Sequence, residues 1–192
     1  MKTKSIMIVG VGGQGSLLAS KLLGRLLVDE DYDVKVSEVH GMSQRGGSVV
    51  TYVRYGEKVY SPVIEQGEAD FIVSFEKLEA ARWLSCLKDG GRIIVNTQQI
   101  DPMPVIIGQA QYPESILDEA IAGGAKVDAI DALSLAKQAG SAKAVNIVLM
   151  ARLAKYLDIP YEKWLKAIEN TVKPAFVELN KTAFKLGYEY NV

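Results

Sequence analysis

This chain of 192 residues carries one cysteine and one histidine. A single thiolate cannot hold an iron–sulfur cluster, and no Cys/His set has zinc spacing. A lone cysteine also excludes an intrachain disulfide, which fits a reducing compartment. Cys86 stands in Arg82-Trp83-Leu84-Ser85-Cys86-Leu87, near the end of a helical pattern, and reads as a small buried hydrophobe. With His40, the only histidine, read as a structural loop residue, Ser43 and Ser48 lack a second His for a hydrolytic triad. Excess charge of one sign is missing as well: 22 basic side chains stand against 23 acidic ones, with no basic run or stripe. A duplex binder needs clustered phosphate neutralisers, so nucleic acid is not an expected partner. No long apolar run occurs. The first one, Ser5 to Val9, follows Met-Lys-Thr-Lys and enters glycines; it is too short for a membrane span and lacks a small-residue cleavage site. The chain is expected to be cytoplasmic, with no membrane partner.

What is present is ordinary for a soluble globular protein: 48% apolar and 23% charged residues. The length suits one domain with a full core, or one domain plus a small helical extension. Ser5 to Val9 is continuously apolar, the mark of a strand buried on both faces. Gln14 to Val28 carries Leu18, Leu22, Leu23, Leu26 and Leu27 at helical spacing. Val34 to Val39 reads as a second strand, and the three segments form a βαβ unit with parallel strands. Ser48 to Tyr55 and Lys58 to Ile64, joined by Gly56-Glu57, predict an antiparallel hairpin beside the parallel sheet. Alternation then resumes: a strand over 69–74, a helix over 75–87, and a strand over 92–96 after Asp89-Gly90-Gly91. A short strand over 105–108, a helix over 115–122, a strand over 126–130 and a helix over 133–139 follow. Three helices close the chain: 144–157, 161–171 opened by Pro160, and 174–186 stopped by Gly187. The expected fold is α/β and Rossmann-like: a doubly wound, mostly parallel sheet with an antiparallel hairpin excursion and a helical C-terminal third.

Gly10-Val11-Gly12-Gly13-Gln14-Gly15 matches G-x-G-x-x-G in the required context, after a strand and before a helix. Glycines there permit a tight turn and let backbone N–H groups approach an anion, which the positive end of the helix also favours. Glu38, 23 residues beyond Gly15, stands where a dinucleotide site carries its ribose acid. A second loop, His40-Gly41-Met42-Ser43-Gln44-Arg45-Gly46-Gly47, lies at the same edge of the expected sheet. Arg45 is suited to bidentate bonds with a phosphate or carboxylate. Both loops fall at strand ends where α/β sheets bind ligands, so they are expected to converge on one anion. The candidate binding residues are Gly10, Gly12, Gly13, Gln14, Gly15, Gln44, Arg45, Gly46 and Gly47. No catalytic residue and no metal ligand is assigned. His40 reads as a loop histidine with a structural hydrogen bond.

The order of these motifs resembles one family. The Gly-x-Gly-Gly-Gln-Gly turn, Gln44-Arg45-Gly46-Gly47, Ser61-Pro62, Asp70-Phe71-Ile72-Val73 and Phe75-Glu76-Lys77-Leu78-Glu79 look like the gamma-type subunit of 2-oxoacid:ferredoxin oxidoreductases. Gly41-Met42-Ser43-Gln44-Arg45-Gly46-Gly47-Ser48-Val49 is most similar to the indolepyruvate type, whose corresponding chain is the beta subunit. The resemblance covers nearly the whole chain. It implies one gamma-type domain over 1–192, with a sheet part over 1–143 and a helical extension over 144–192. It further implies oxidative decarboxylation of an aryl or branched 2-oxoacid with coenzyme A, yielding an acyl-CoA, carbon dioxide and reduced ferredoxin. Thiamine diphosphate and 4Fe-4S clusters would sit on a larger partner subunit, and ferredoxin would be met through the complex. This chain would be inactive alone, would hold no redox cofactor, and could bind coenzyme A at the glycine loops.

Two other readings stand beside it. One is a stand-alone NAD(P)-binding oxidoreductase domain using Glu38 or Arg45 at the ribose. Nothing after Gly47 supplies a catalytic Tyr-x-x-x-Lys or a His/Asp pair for it, and Tyr161-Glu162-Lys163 has the wrong spacing. The other is a non-catalytic assembly subunit, with Tyr156, Trp164, Phe176 and Phe184 forming either a docking face or a core.

Overall fold

The computed structural model describes residues 3–40 and 47–191, with the backbone alone for His40. Among the described residues, six strands form one sheet in the order β2-β3-β1-β4-β5-β6. β1 (Lys4–Val11) leads through a glycine turn into α1 (Ser16–Asp29), and β2 (Asp33–His40) follows. β3 (Ser48–Gly56) runs antiparallel to both β1 and β2 and lies between them. β4 (Ala69–Ser74), β5 (Leu87–Asn96) and β6 (Lys126–Ile130) continue the sheet in parallel.

The antiparallel excursion is therefore β2 followed by β3, and not a hairpin of 48–55 with 58–64. Both edges of β3 are already occupied, so residues 58–64 find no free ladder, and Pro62 could not donate to one. That segment instead caps the sheet: Val59 donates its N–H to Asp33 Oδ2 at 2.9 Å, and Ile64 enters the core. β1 and β2 keep the parallel sense expected of a βαβ unit, but one strand separates them.

Alternation along β1 explains its continuous apolar run. Ile6 and Ile8 enter one core; Met7 and Val9 enter the other. The first core holds the α1 stripe Leu22, Leu23, Leu26 and Leu27, together with α5 (Ala132–Gln138), α6 (Val145–Ala154), α7 (Tyr161–Thr171) and α8 (Val177–Glu189). The second is thinner, covered by α2 (Lys77–Arg82) and α4 (Ile116–Ala122). Cys86 lies in this second core, where burial raises its thiol pKa. α6 is buried on every face, because it lies between the sheet and α8.

Other departures have local causes. Residues 103–106 form a short helix, α3 (Met103–Ile106), since Pro104 suits a first helical turn. The helix expected over 75–87 stops at Arg82, and β5 begins at Leu87, so Gly90 and Gly91 lie within an irregular strand rather than ahead of it. Gly187 does not end the last helix. It lies inside α8, where a Cβ would come 2.7 Å from the carbonyl oxygen of Val148 on α6. Its lack of a side chain lets two helices approach closely. Trp164 and Phe184 are fully buried and stack with ring centroids 5.8 Å apart, so they belong to the core, whereas Phe176 stays on the surface. Among the described residues, no helix is long and apolar enough to cross a membrane.

Candidate anion site at the glycine turn

The register of β1 places Val11 opposite Ser48, and that of β2 places His40 opposite Val49. The glycine turn, the His40 backbone and Gly47 consequently lie together at one end of these strands. They are joined directly: Gly12 donates its N–H to the carbonyl of Gly47 at 2.9 Å. Gln44, Arg45 and Gly46 fall outside the described residues.

Each residue of the turn has a separate task. Gly10 is a packing glycine, because a Cβ would stand 2.9 Å from Phe75 Cβ and 2.8 Å from Gln14 Oε1. Gln14 braces the turn from inside. Its Oε1 accepts from the Val11 N–H at 2.7 Å, and its Nε2 donates to the Phe75 carbonyl at 3.2 Å. The Gln14 N–H is also committed, to the Val11 carbonyl. Gly13 and Gly15 have φ of +99° and +91°, a region that penalises a side chain. Gly15 is the N-cap of α1, and no described side chain caps that helix.

The remaining donors identify where an anion would sit. Among the described residues, the N–H groups of Gly13, Gly15, Ser16 and Leu17 have no backbone acceptor. An anion held here would meet the Gly13 and Gly15 amides and the first turn of α1 rather than the Gly12 amide, since Gly12 is already bonded to Gly47. A cleft of about 450 Å³ opens over Gly12, Gly13, Gly15, Ser16 and Glu38. Glu38 faces this cleft from β2, a full strand further from β1 than a dinucleotide site would place its ribose acid. A second cleft, also about 450 Å³, lies on the α6 side, bounded by Gln14, Gly15, Ile100, Lys143 and Asn146. Asn146 is buried there and donates to the Gly15 carbonyl at 3.2 Å.

A buried polar cluster supports the turn from the β4–α2 side. Glu76, the N-cap of α2, accepts from the Glu79 N–H at 3.0 Å and the Ile100 N–H at 3.2 Å, and Tyr112 donates its hydroxyl to it. Burial, then that bond, push the Tyr112 phenol pKa up. Asn96 donates to the Phe75 carbonyl at 3.1 Å and accepts from the Ala132 N–H. Glu79 accepts the Ser48 hydroxyl and pairs with Arg82 at 3.3 Å. Burial raises the Glu79 pKa above the ordinary carboxylate value, partly offset by Ser48 and Arg82, with Glu76 adding repulsion. The sequence alone assigns no role to the Glu76-x-x-Glu79 pair. Its three-residue spacing, that of a cap and its partner, was the available signal.

Comparison with known proteins agrees with this architecture. Residues 5–190 match the family model described as pyruvate ferredoxin/flavodoxin oxidoreductase. Indolepyruvate oxidoreductase subunit IorB of Thermococcus kodakarensis is 43% identical over 194 residues, covering 97% of this chain and 95% of that one. The same subunit of Pyrococcus horikoshii is also 43% identical, with the same coverage. Among solved structures, pyruvate oxidoreductase subunit PORC of Thermotoga maritima superposes with a TM-score of 0.77 at 21% identity, over 98% of this chain and 97% of that one. The 2-oxoglutarate:ferredoxin oxidoreductase of Magnetococcus marinus, solved with 2-oxoglutarate, coenzyme A and succinyl-CoA, superposes with a TM-score of 0.75 at 18% identity, over 97% of this chain and 30% of that one. With a match that runs from the first strand to the end of the last helix, the chain belongs to the pyruvate ferredoxin/flavodoxin oxidoreductase family.

Proposed function

We propose that this chain is the cofactor-poor subunit of an indolepyruvate-type 2-oxoacid:ferredoxin oxidoreductase, acting in coenzyme A-dependent oxidative decarboxylation of an aryl 2-oxoacid. The observation that carries this reading is end-to-end identity of 43% with a subunit named for indolepyruvate. Thiamine diphosphate and iron–sulfur clusters belong on a larger partner subunit in this reading: one cysteine supplies a quarter of the thiolates that a cluster needs, and the sequence carries no diphosphate-plus-metal motif of the thiamine kind. The chain is inactive alone in this reading, and its contribution to chemistry is to bind and orient. The N–H groups at the start of α1, which find no backbone acceptor among the described residues, suit a phosphate of coenzyme A, with Arg45 and the neighbouring glycines as further donors. The fold relative from Magnetococcus marinus, solved with coenzyme A, is consistent with that ligand class.

The test is the apparent KM for coenzyme A in the assembled enzyme, read together with the melting temperature of each variant. Arg45→Lys keeps the charge but loses the planar fork, so it should already weaken binding. Arg45→Ala removes a hydrogen bond to a charged group, a loss of about 1.5–3 kcal/mol, and should raise KM by roughly ten- to a hundredfold. A lower melting temperature with an unchanged KM would assign Arg45 to its own loop and defeat the ligand reading. The NAD(P) alternative is set back by the position of Glu38; micromolar NADH binding by the chain alone would revive it. An assembly subunit that binds nothing predicts no coenzyme A effect from any turn variant.

A further inference from the structure

The glycine turn is braced from two sides, and only the inner brace, Gln14, lies within the motif itself. The outer brace runs through residues far away in sequence. Gly12 N–H bonds to the Gly47 carbonyl, the next residue Ser48 donates its hydroxyl to Glu79, and Glu79 is held on α2 by Glu76 and Arg82. Glu79 is nearly inaccessible, with a side-chain exposure of 6%. Leaving a carboxylate there costs desolvation that an apolar residue would avoid, so its value must lie in what it bonds. Among the described residues its oxygens reach two side chains, Arg82 beside it on α2 and Ser48 on β3. Arg82 is half exposed and could be satisfied by water; the Ser48 hydroxyl is the contact that reaches the site.

Resting on the anion-site reading above, we propose that Glu79 is a positioning residue of the glycine turn, fixing Gly47 against Gly12 through Ser48. With the Gly47 carbonyl in place, the Gly12 N–H is drawn away from the cleft. The turn then presents the Gly13 and Gly15 amides together with the Ser16 and Leu17 amides of α1. Without this anchor the Gly47 carbonyl drifts, and the donors no longer converge.

The experiment uses the complex of this chain with its partner subunit and coenzyme A as the probe. Ser48→Ala and Glu79→Ala should each raise the apparent KM for coenzyme A roughly fivefold, the size of one net hydrogen bond. The kcat at saturating coenzyme A should stay within about twofold of the parent. The double variant should be no worse than either single one, as expected for two ends of one bond. Glu79→Gln retains an acceptor for Ser48 and should restore KM. If Glu79→Ala fails to fold, Ser48→Ala, which removes one exposed-side hydroxyl, carries the test. An unchanged KM in Ser48→Ala, whatever its melting temperature, overturns the proposal. Ser16→Asp separates the two levels of inference: its charge suits a helix N-terminus but repels a bound anion. If Ser16→Asp raises KM and Ser48→Ala does not, the positioning role alone is lost. If Ser16→Asp leaves KM unchanged, the anion site and the positioning role fall together.

Discussion

Arg152 is the most heavily committed side chain in the described structure. It grips Asp128 with Nε and Nη2 at 2.7–3.2 Å and donates Nη1 to the Tyr190 carbonyl at 2.6 Å. Tyr156 completes the site by donating its hydroxyl to Asp128 at 2.6 Å. Both charged groups are almost fully buried, so removing one partner leaves the other stranded in a low-dielectric interior. Arg152→Met should therefore cost about 3–5 kcal/mol in urea unfolding. Replacing both residues by apolar ones should recover most of that loss; a double variant as unstable as the single would contradict the stranded-charge explanation. Asp70 makes a prediction of a different kind. Burial alone would raise its pKa, but bonds from Lys88 and the Ser5 N–H, with the charges of Lys4 and Lys88, hold it below the ordinary value. A carboxylate with a lowered folded pKa contributes stability above its unfolded pKa of 3.8. That contribution is lost as pH falls through the folded value. Asp70→Asn should hence be less stable than the parent at neutral pH, and the gap should close as pH drops below 3.8. A gap independent of pH would show that packing, not charge, governs the site.

At the scale of elements, α6 and α8 show how a single residue sets a distance. α6 is buried on all sides, and Gly187 allows α8 to come within backbone contact of it near Val148 and Ala151. Gly187→Ala introduces a methyl group 2.7 Å from a carbonyl oxygen and 3.0 Å from the Ala151 Cβ. Intrinsic propensity favours Ala over Gly in a helix by nearly 1 kcal/mol, so helix preference and packing pull in opposite directions. The contact with backbone cannot be relieved by a rotamer change, and overpacking of this kind costs about 1–3 kcal/mol. The net expectation is a lower midpoint of denaturation. A stabilised Gly187→Ala would mean that α8 can shift freely on α6. The same element-level competition explains β3: its strand pattern was clear, but its partners depended on which edges remained open.

At the scale of the molecule, the two cores are unequal. The face carrying α1 and α5 to α8 buries most of the large side chains, while α2, α4 and the 57–68 segment cover the other face more thinly. The thin side also carries exposed Met103, Ile106 and Ile107 beside a cleft bounded by Ser48, Glu79, Arg82 and Ile100. Under the function proposed above, the purified chain should be colourless and inactive with any 2-oxoacid. Mixing it with the thiamine-dependent partner that this proposal requires should give viologen reduction driven by indolepyruvate and coenzyme A. A stoichiometric iron–sulfur or flavin spectrum in the chain alone, or full activity of the partner alone, would sink this assignment.

Much of the architecture was legible from periodicity alone. β6 and α7 have the residue bounds expected of them, because apolar spacing and local breakers such as Pro160 act within a few residues. The α/β class, the glycine turn and the helical C-terminal third are local signals of the same kind. Family membership was legible in the order of the motifs. The chain alone could not reveal that β3 separates β1 from β2, because pairing depends on which edges other strands have taken. Nor could it reveal that Gln14 turns inward, that the Gly12 amide is spent on Gly47, or that Glu79 anchors the neighbouring Ser48. Those outcomes follow from contacts between residues about 30 to 60 apart, where burial and hydrogen-bond satisfaction, rather than local propensity, select the partner.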